Sequence, residues 1–152
     1  MTDAMRAYRS LKVLSDIDLA IMAEKLVASA KAVDSLEVER RVVLRQLRAL
    51  DAAYVSSAGD GSALNIAAFN VLGKQAAATR SLLADVNERL ANAHSIMERD
   101  REDVLQERKR IDCLDRWLRQ ARSWQNVQSE IAAGQEIENL FAARCVQEGV
   151  ES

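Results

Sequence analysis

Proline is absent from the 152 residues, glycine occurs only five times, and phenylalanine, tryptophan and tyrosine occur twice each. A chain so poor in turn-forming residues cannot supply the frequent reversals of a many-stranded sheet, and the absence of proline suits long helices. The two cysteines, Cys113 and Cys145, lie far apart and belong to no CxxC or Cys/His cluster, so the spacing points to neither a zinc site nor a disulfide framework. The single histidine, His94, stands four residues before Glu98, where a surface pair is expected rather than a metal ligand. GDGSAL and GKQ lack the glycine and lysine order of a phosphate-cradling loop. With no convergent catalytic constellation the chain is not expected to be an enzyme, and no cofactor or metal is expected.

Charge and hydropathy exclude further classes. Lys and Arg number 21 against 23 Asp and Glu, for a net charge of -2, so the basic excess of a nucleic-acid-binding module is missing and nucleic acid is not an expected partner. A bilayer span needs about 20 predominantly apolar residues, and no charge-free run approaches that length, so direct membrane insertion is not expected. Asp16, Asp18 and Glu24 break up the most apolar part of the N-terminus, which therefore does not resemble a secretory signal. A reducing, cytoplasmic setting is the expectation.

What is present is periodicity. In the first third, apolar residues recur at steps of three and four through Leu19, Met22, Leu26, Val33, Leu36, Val43, Leu47, Leu50 and Tyr54, with Ser29 and Arg40 interrupting the stripe. The second stretch is apolar at every seventh residue: Phe69, Ala76, Leu83, Leu90, Met97, Val104, Ile111 and Leu118. Its companion row is Leu72, Thr79, Val86, Ala93, Asp100, Glu107, Leu114 and Ala121, apolar at both ends and polar near the middle. Between the two stretches lies SSAGDGS, residues 56–62, the one cluster of small polar residues and glycine. The pattern predicts an all-α fold: a long antiparallel two-helix coiled-coil hairpin with an additional C-terminal helical segment. The expected bounds are about 4–54 for the first helix, about 55–64 for the loop, about 65–133 for the second helix and about 135–147 for the C-terminal segment. At a rise of about 1.5 Å per residue, the first helix would be a shaft of about 75 Å.

A turn centred near Asp60 sets Leu36 against residues 83–86 and Leu11 against residues 107–109, so that the first helix runs out near Arg116. Arg6, Arg9 and Lys12 then fall opposite Arg108, Lys109 and Arg110, concentrating positive charge at the open end. Beyond Arg116 the chain still carries Trp117, Trp124, Val127, Ile131, Ile137, Leu140 and Phe141, and the sevenfold row Trp117, Trp124, Ile131 is rotated one position from the hairpin seam. Gly134 can end the helix, so that the tail folds back, or be tolerated within it at about 1 kcal/mol. At the closed end Gln46, Leu50, Tyr54, Phe69 and Leu72 flank the loop.

A proline-free helical hairpin of this length, with its turn before the midpoint, a long second seam and the basic, aromatic segment ERKRIDCLDRWLRQARSW, resembles the FliJ and YscO family of type III secretion. The resemblance implies a stalk protein, peripheral to a membrane export apparatus, that enters the central pore of a hexameric export ATPase and promotes its assembly and turnover. Carried over by position, it implies that Arg6, Arg9, Lys12, Arg108, Lys109, Arg116 and Trp117 face the ATPase. Gln46, Leu50, Tyr54, Phe69 and Leu72 would face an export gate protein, with cargo chaperones as further partners. The competing readings are a coiled-coil adaptor or scaffold of another assembly, and a secretion cargo chaperone.

Overall fold

The computed structural model describes residues 3–59 and 66–150, with side chains described for 3–58 and 66–144. Two helices account for all of it: α1, Asp3–Gly59, and α2, Ile66–Val150, packed against each other in an all-α architecture. Two compact units divide the chain, one formed by residues 19–106 and the other by residues 1–18 with 107–152.

In the unit of residues 19–106 the helices run antiparallel. Tyr54 meets Phe69, Arg80 reaches Asp51 and Arg89 reaches Glu39, so α1 numbers fall as α2 numbers rise. The seam between them is the sevenfold pattern made physical. On α2, Phe69, Leu72, Ala76, Thr79, Leu83, Val86, Leu90, Ala93, Met97, Asp100 and Val104 are all buried or half-buried, and Val86 has 0% exposure. Val33 and Val43 are the most deeply buried residues of α1 in this unit. Ser29 stays in the seam because its hydroxyl donates to the Leu26 carbonyl at 3.0 Å, which satisfies the polar group locally. Arg40 is exposed, and the half-buried Glu39 beside it accepts from Arg89 Nη1 at 3.2 Å.

In the other unit the buried and half-buried residues include Glu107, Ile111, Leu114, Leu118 and Ala121 on α2 and Met5, Tyr8, Lys12 and Ser15 on α1. The register differs from the one expected with a turn at Asp60. Lys12 meets Asp115 and Tyr8 meets Trp117, about one heptad further along α2. The cause lies near the expected loop: α1 remains helical to Gly59, five residues beyond its expected end, with the Ser57 hydroxyl donating to the Tyr54 carbonyl at 2.8 Å. The remainder of the expected loop, residues 60–64, lies outside the described residues. Consequently α1 does not run out near Arg116. Ala4 and Met5 sit beside Trp117, Trp124 and Gln125, and burial on α2 ends at Ala121.

From Arg122 to Arg144 every residue of α2 is exposed. Gly134 neither ends nor turns the helix, which continues unbroken to Val150, so there is no separate C-terminal segment among the described residues. A Cβ at Gly134 would meet nothing within 4 Å, and a lone glycine costs a helix only about 1 kcal/mol relative to alanine.

Glu107 is the costly member of the seam. It is 7% exposed, its Oε1 has no hydrogen-bond partner among the described residues, and Oε2 lies 3.8 Å from Arg110 Nη1. A buried acceptor left unmade costs about 1–3 kcal/mol. Glu107→Leu is therefore expected to stabilise the protein by about 1–3 kcal/mol, while Val86→Ala is expected to destabilise it by a similar amount. Urea denaturation followed by circular dichroism checks both, and a destabilised Glu107→Leu would contradict the seam placement.

Candidate partner-binding surfaces

Four cations converge in the unit of residues 1–18 and 107–152. Arg9 and Lys12 on α1 and Arg119 and Arg122 on α2 line an open groove of about 570 Å³ together with Val13, Leu118 and the carboxylates of Asp16 and Asp115. The spacing explains the gathering. Residues three apart on each helix share a flank of the seam, so one flank of α1 offers Arg9, Lys12 and Asp16 while the facing flank of α2 offers Asp115, Arg119 and Arg122.

Within the groove Lys12 Nζ donates to Asp115 Oδ1 at 2.7 Å, both side chains being about one-third exposed. That hydrogen bond is the main reason the Lys12 ammonium is held above its ordinary value of 10.5, with the Asp115 and Asp16 charges adding to it and desolvation and Arg122 opposing it. Arg119 Nε donates to the Asp115 carbonyl and Arg116 Nε to the Asp112 carbonyl, each at 3.4 Å, which anchors both guanidinium stems on α2. The groove thus holds four positive and two negative groups on a chain whose net charge is -2.

The Tyr8 and Trp117 rings stack with centroids 3.6 Å apart and planes at 14°. Beside them Ala4, Met5, Trp117, Gln120, Ala121, Trp124 and Gln125 line a smaller recess of about 390 Å³.

In the unit of residues 19–106 the Tyr54 and Phe69 rings lie 4.2 Å apart at 30° and, with Asn70, Gly73, Lys74 and Ala77, line a recess of about 530 Å³. Gln46 and Leu50 line a different one, of about 460 Å³, with Ala49, Gln75, Ala78 and Thr79. Leu72 is half-buried in the seam. The five residues assigned to this end by sequence are thus divided among two recesses and the seam.

At the basic end the structure brings Arg9 and Lys12 together with Arg119 and Arg122, not with Arg108, Lys109 and Arg110. Arg6, Arg108 and Lys109 are exposed and outside the groove, and Trp117 is packed on Tyr8 rather than unpartnered. Asp16, Asp115 and Tyr8 were missed as site residues because the register one heptad away hides their convergence. Glu98 pairs with Arg101 Nη1 at 3.8 Å, in place of the expected pair with His94. Among the described residues no group of three or more His, Cys, Asp and Glu is placed to hold a metal, and no helix is long and apolar enough to cross a membrane. Comparisons with family models, curated proteins and solved structures returned no match to this chain.

A raised lysine pKa means that the stabilising contribution is complete below the unfolded value and is lost as pH rises through the folded one. The difference in melting temperature between the wild type and Lys12→Met is therefore expected to stay constant through neutral pH and to change only above about pH 10.5, whereas Lys12→Arg tracks the wild type below that point. Thermal melts from neutral to strongly alkaline pH check this. For the ring pair, a double-mutant cycle on Tyr8→Ala and Trp117→Ala is expected to give a coupling of about 0.5–1.5 kcal/mol.

Proposed function

We propose that this chain is a non-catalytic stalk of a type III protein-export apparatus: a long antiparallel coiled-coil hairpin, cytoplasmic and peripheral to the membrane, that binds the hexameric export ATPase. The observation that carries the reading is the groove of Arg9, Lys12, Arg119 and Arg122, in the same unit as the stacked Tyr8 and Trp117, a positively charged surface on an otherwise acidic chain. Such a surface suits an acidic socket, because complementary charge steers the encounter and fixes the register of docking. Its action would be allosteric. Binding one asymmetric state of a ring more tightly than the others stabilises assembly and raises turnover without the stalk hydrolysing anything.

In this reading Arg6, Arg108, Lys109 and Arg116 are exposed cations that widen the positive field around the groove. The second contact, with the export gate protein, is assigned to the recess of Tyr54 and Phe69 and that of Gln46 and Leu50, with Leu72 supporting them from the seam. Cargo chaperones are a further class of partner. A coiled-coil adaptor of another assembly, or a cargo chaperone, is the alternative, and the exposed apolar residues of α2 beyond Ala121 favour it.

Titrating the protein into a purified export ATPase is expected to shift the ring towards the hexamer in sedimentation and to raise ATP turnover. The double variant Arg119→Glu with Arg122→Glu is expected to lose roughly tenfold or more in apparent affinity, with its helicity unchanged. A ring indifferent to the wild-type protein in both assays would end the export reading. A response that ignored the charge reversals would move the contact away from the groove.

A further inference from the structure

Beyond Ala121 every residue of α2 to Arg144 is exposed, α1 reaching it only where Ala4 and Met5 share a recess with Trp124 and Gln125, and four of its six large apolar residues fall in two rows. Trp124 and Ile131 continue the row begun by Trp117, Val127 and Phe141 fall on a second row three residues further on with Gly134 between them, and Ile137 and Leu140 lie outside both. Trp124 is 68% and Phe141 69% exposed, a large expense for a segment that is well formed as a helix.

The two rows are self-complementary when the segment is reversed. In an antiparallel pairing, where one row faces the other, Trp124 of one copy lies against Phe141 of the second at both ends of the contact. Ile131 faces Gly134 at the centre, where the absence of a side chain leaves room for it. Ala121 then flanks Ala142, and Gln128 flanks Gln135, so no like charges meet along the edges. Glu138 is the one charged residue in the rows and faces Val127 instead of its own counterpart. We propose that residues 122–144 are a homodimerisation segment, paired antiparallel with the same segment of a second copy of this chain.

The area is sufficient. Fully hidden aromatic side chains bury about 150–250 Å² each, so four of them at roughly two-thirds exposure contribute about 400–700 Å². The isoleucines, valines and glutamine flanks on both helices supply the rest of the 1,200 Å² or so that a specific interface needs. Ion pairing adds nothing to this contact, so its strength is insensitive to salt. Of the groove's cations only Arg122 falls in the segment, at its first position and on neither row, and the inference does not rest on the export reading.

Sedimentation equilibrium of the full chain tests it. The expected result is a concentration-dependent monomer to dimer equilibrium that persists at high salt, weakened roughly tenfold or more by either Trp124→Arg or Phe141→Asp. Both positions are exposed, so circular dichroism should show the helices unaltered. Mixing the two variants in equal amounts is expected to recover the dimer, because the antiparallel register sets the new arginine against the new aspartate while the other end keeps its tryptophan and phenylalanine. A chain that stays monomeric at the highest soluble concentration overturns the proposal, as does a dimer that survives both substitutions. A dimer lost in each variant and not recovered on mixing overturns the antiparallel register.

Discussion

The described structure depends on one constraint: a seven-residue apolar repeat must find a partner along its whole length, and α1 provides it only as far as Ala121. Where the partner exists, side chains as small as Ala76 and Ala93 and as polar as Thr79 are carried into the contact because the repeat places them there. Where it ends, the seam rows turn polar at Gln125 and Gln128, and the apolar residues left facing solvent lie on a face rotated one position from the seam. The flanks of the seam inherit their character from the same rule, since residues three or four apart on each helix are brought into the short rows that form the basic groove and the aromatic recesses. The basic groove and the aromatic recesses thus depend on how the two helices are aligned.

Much of that was legible. The sixteen residues of the two rows from Phe69 to Ala121 are all buried or half-buried, and the polar interruptions fall at Asp100 and Glu107 as the pattern indicated. Arg40, marked as a break in the first stripe, is exposed. The burial of Met5, Tyr8, Lys12 and Ser15 was not legible, because two of the four are polar and an apolar count passes over them. Nor was the end of α1. Ser56, Ser57, Ala58 and Gly59 form a turn by composition, yet only a few tenths of a kcal/mol per residue separates serine from good helix formers, and a helix already propagating runs on through such residues with the Ser57 hydroxyl bonded back to the Tyr54 carbonyl. Gly134 is the same lesson at the other end of the chain, a residue whose cost is too small to stop a helix already propagating.

The site was legible in kind and not in detail. A concentration of positive charge near the end of the hairpin follows from Arg9 and Lys12 on one helix and the run of arginines on the other. Which arginines meet them depends on register, and a displacement of one heptad replaces Arg108 and Lys109 with Asp115, Arg119 and Arg122. Charge could have arbitrated. An alignment that faces three cations with three cations is disfavoured at every contact, whereas the observed one gives Lys12 a carboxylate at 2.7 Å.

The ion pairs on the flanks therefore do something that the seam cannot. A repeat of seven is indifferent to a slip of seven, because apolar rows meet apolar rows again after each step. Slid one step either way, Lys12 would face Arg108 or Arg122, Glu39 would face Leu82 or Ile96, and Asp51 would face Gly73 or Asn87. Each exposed pair adds little to stability by itself. Together they act as the teeth of a vernier, penalising misaligned hairpins that the hydrophobic contact alone would accept, so that folding ends in one alignment out of several equally greasy ones.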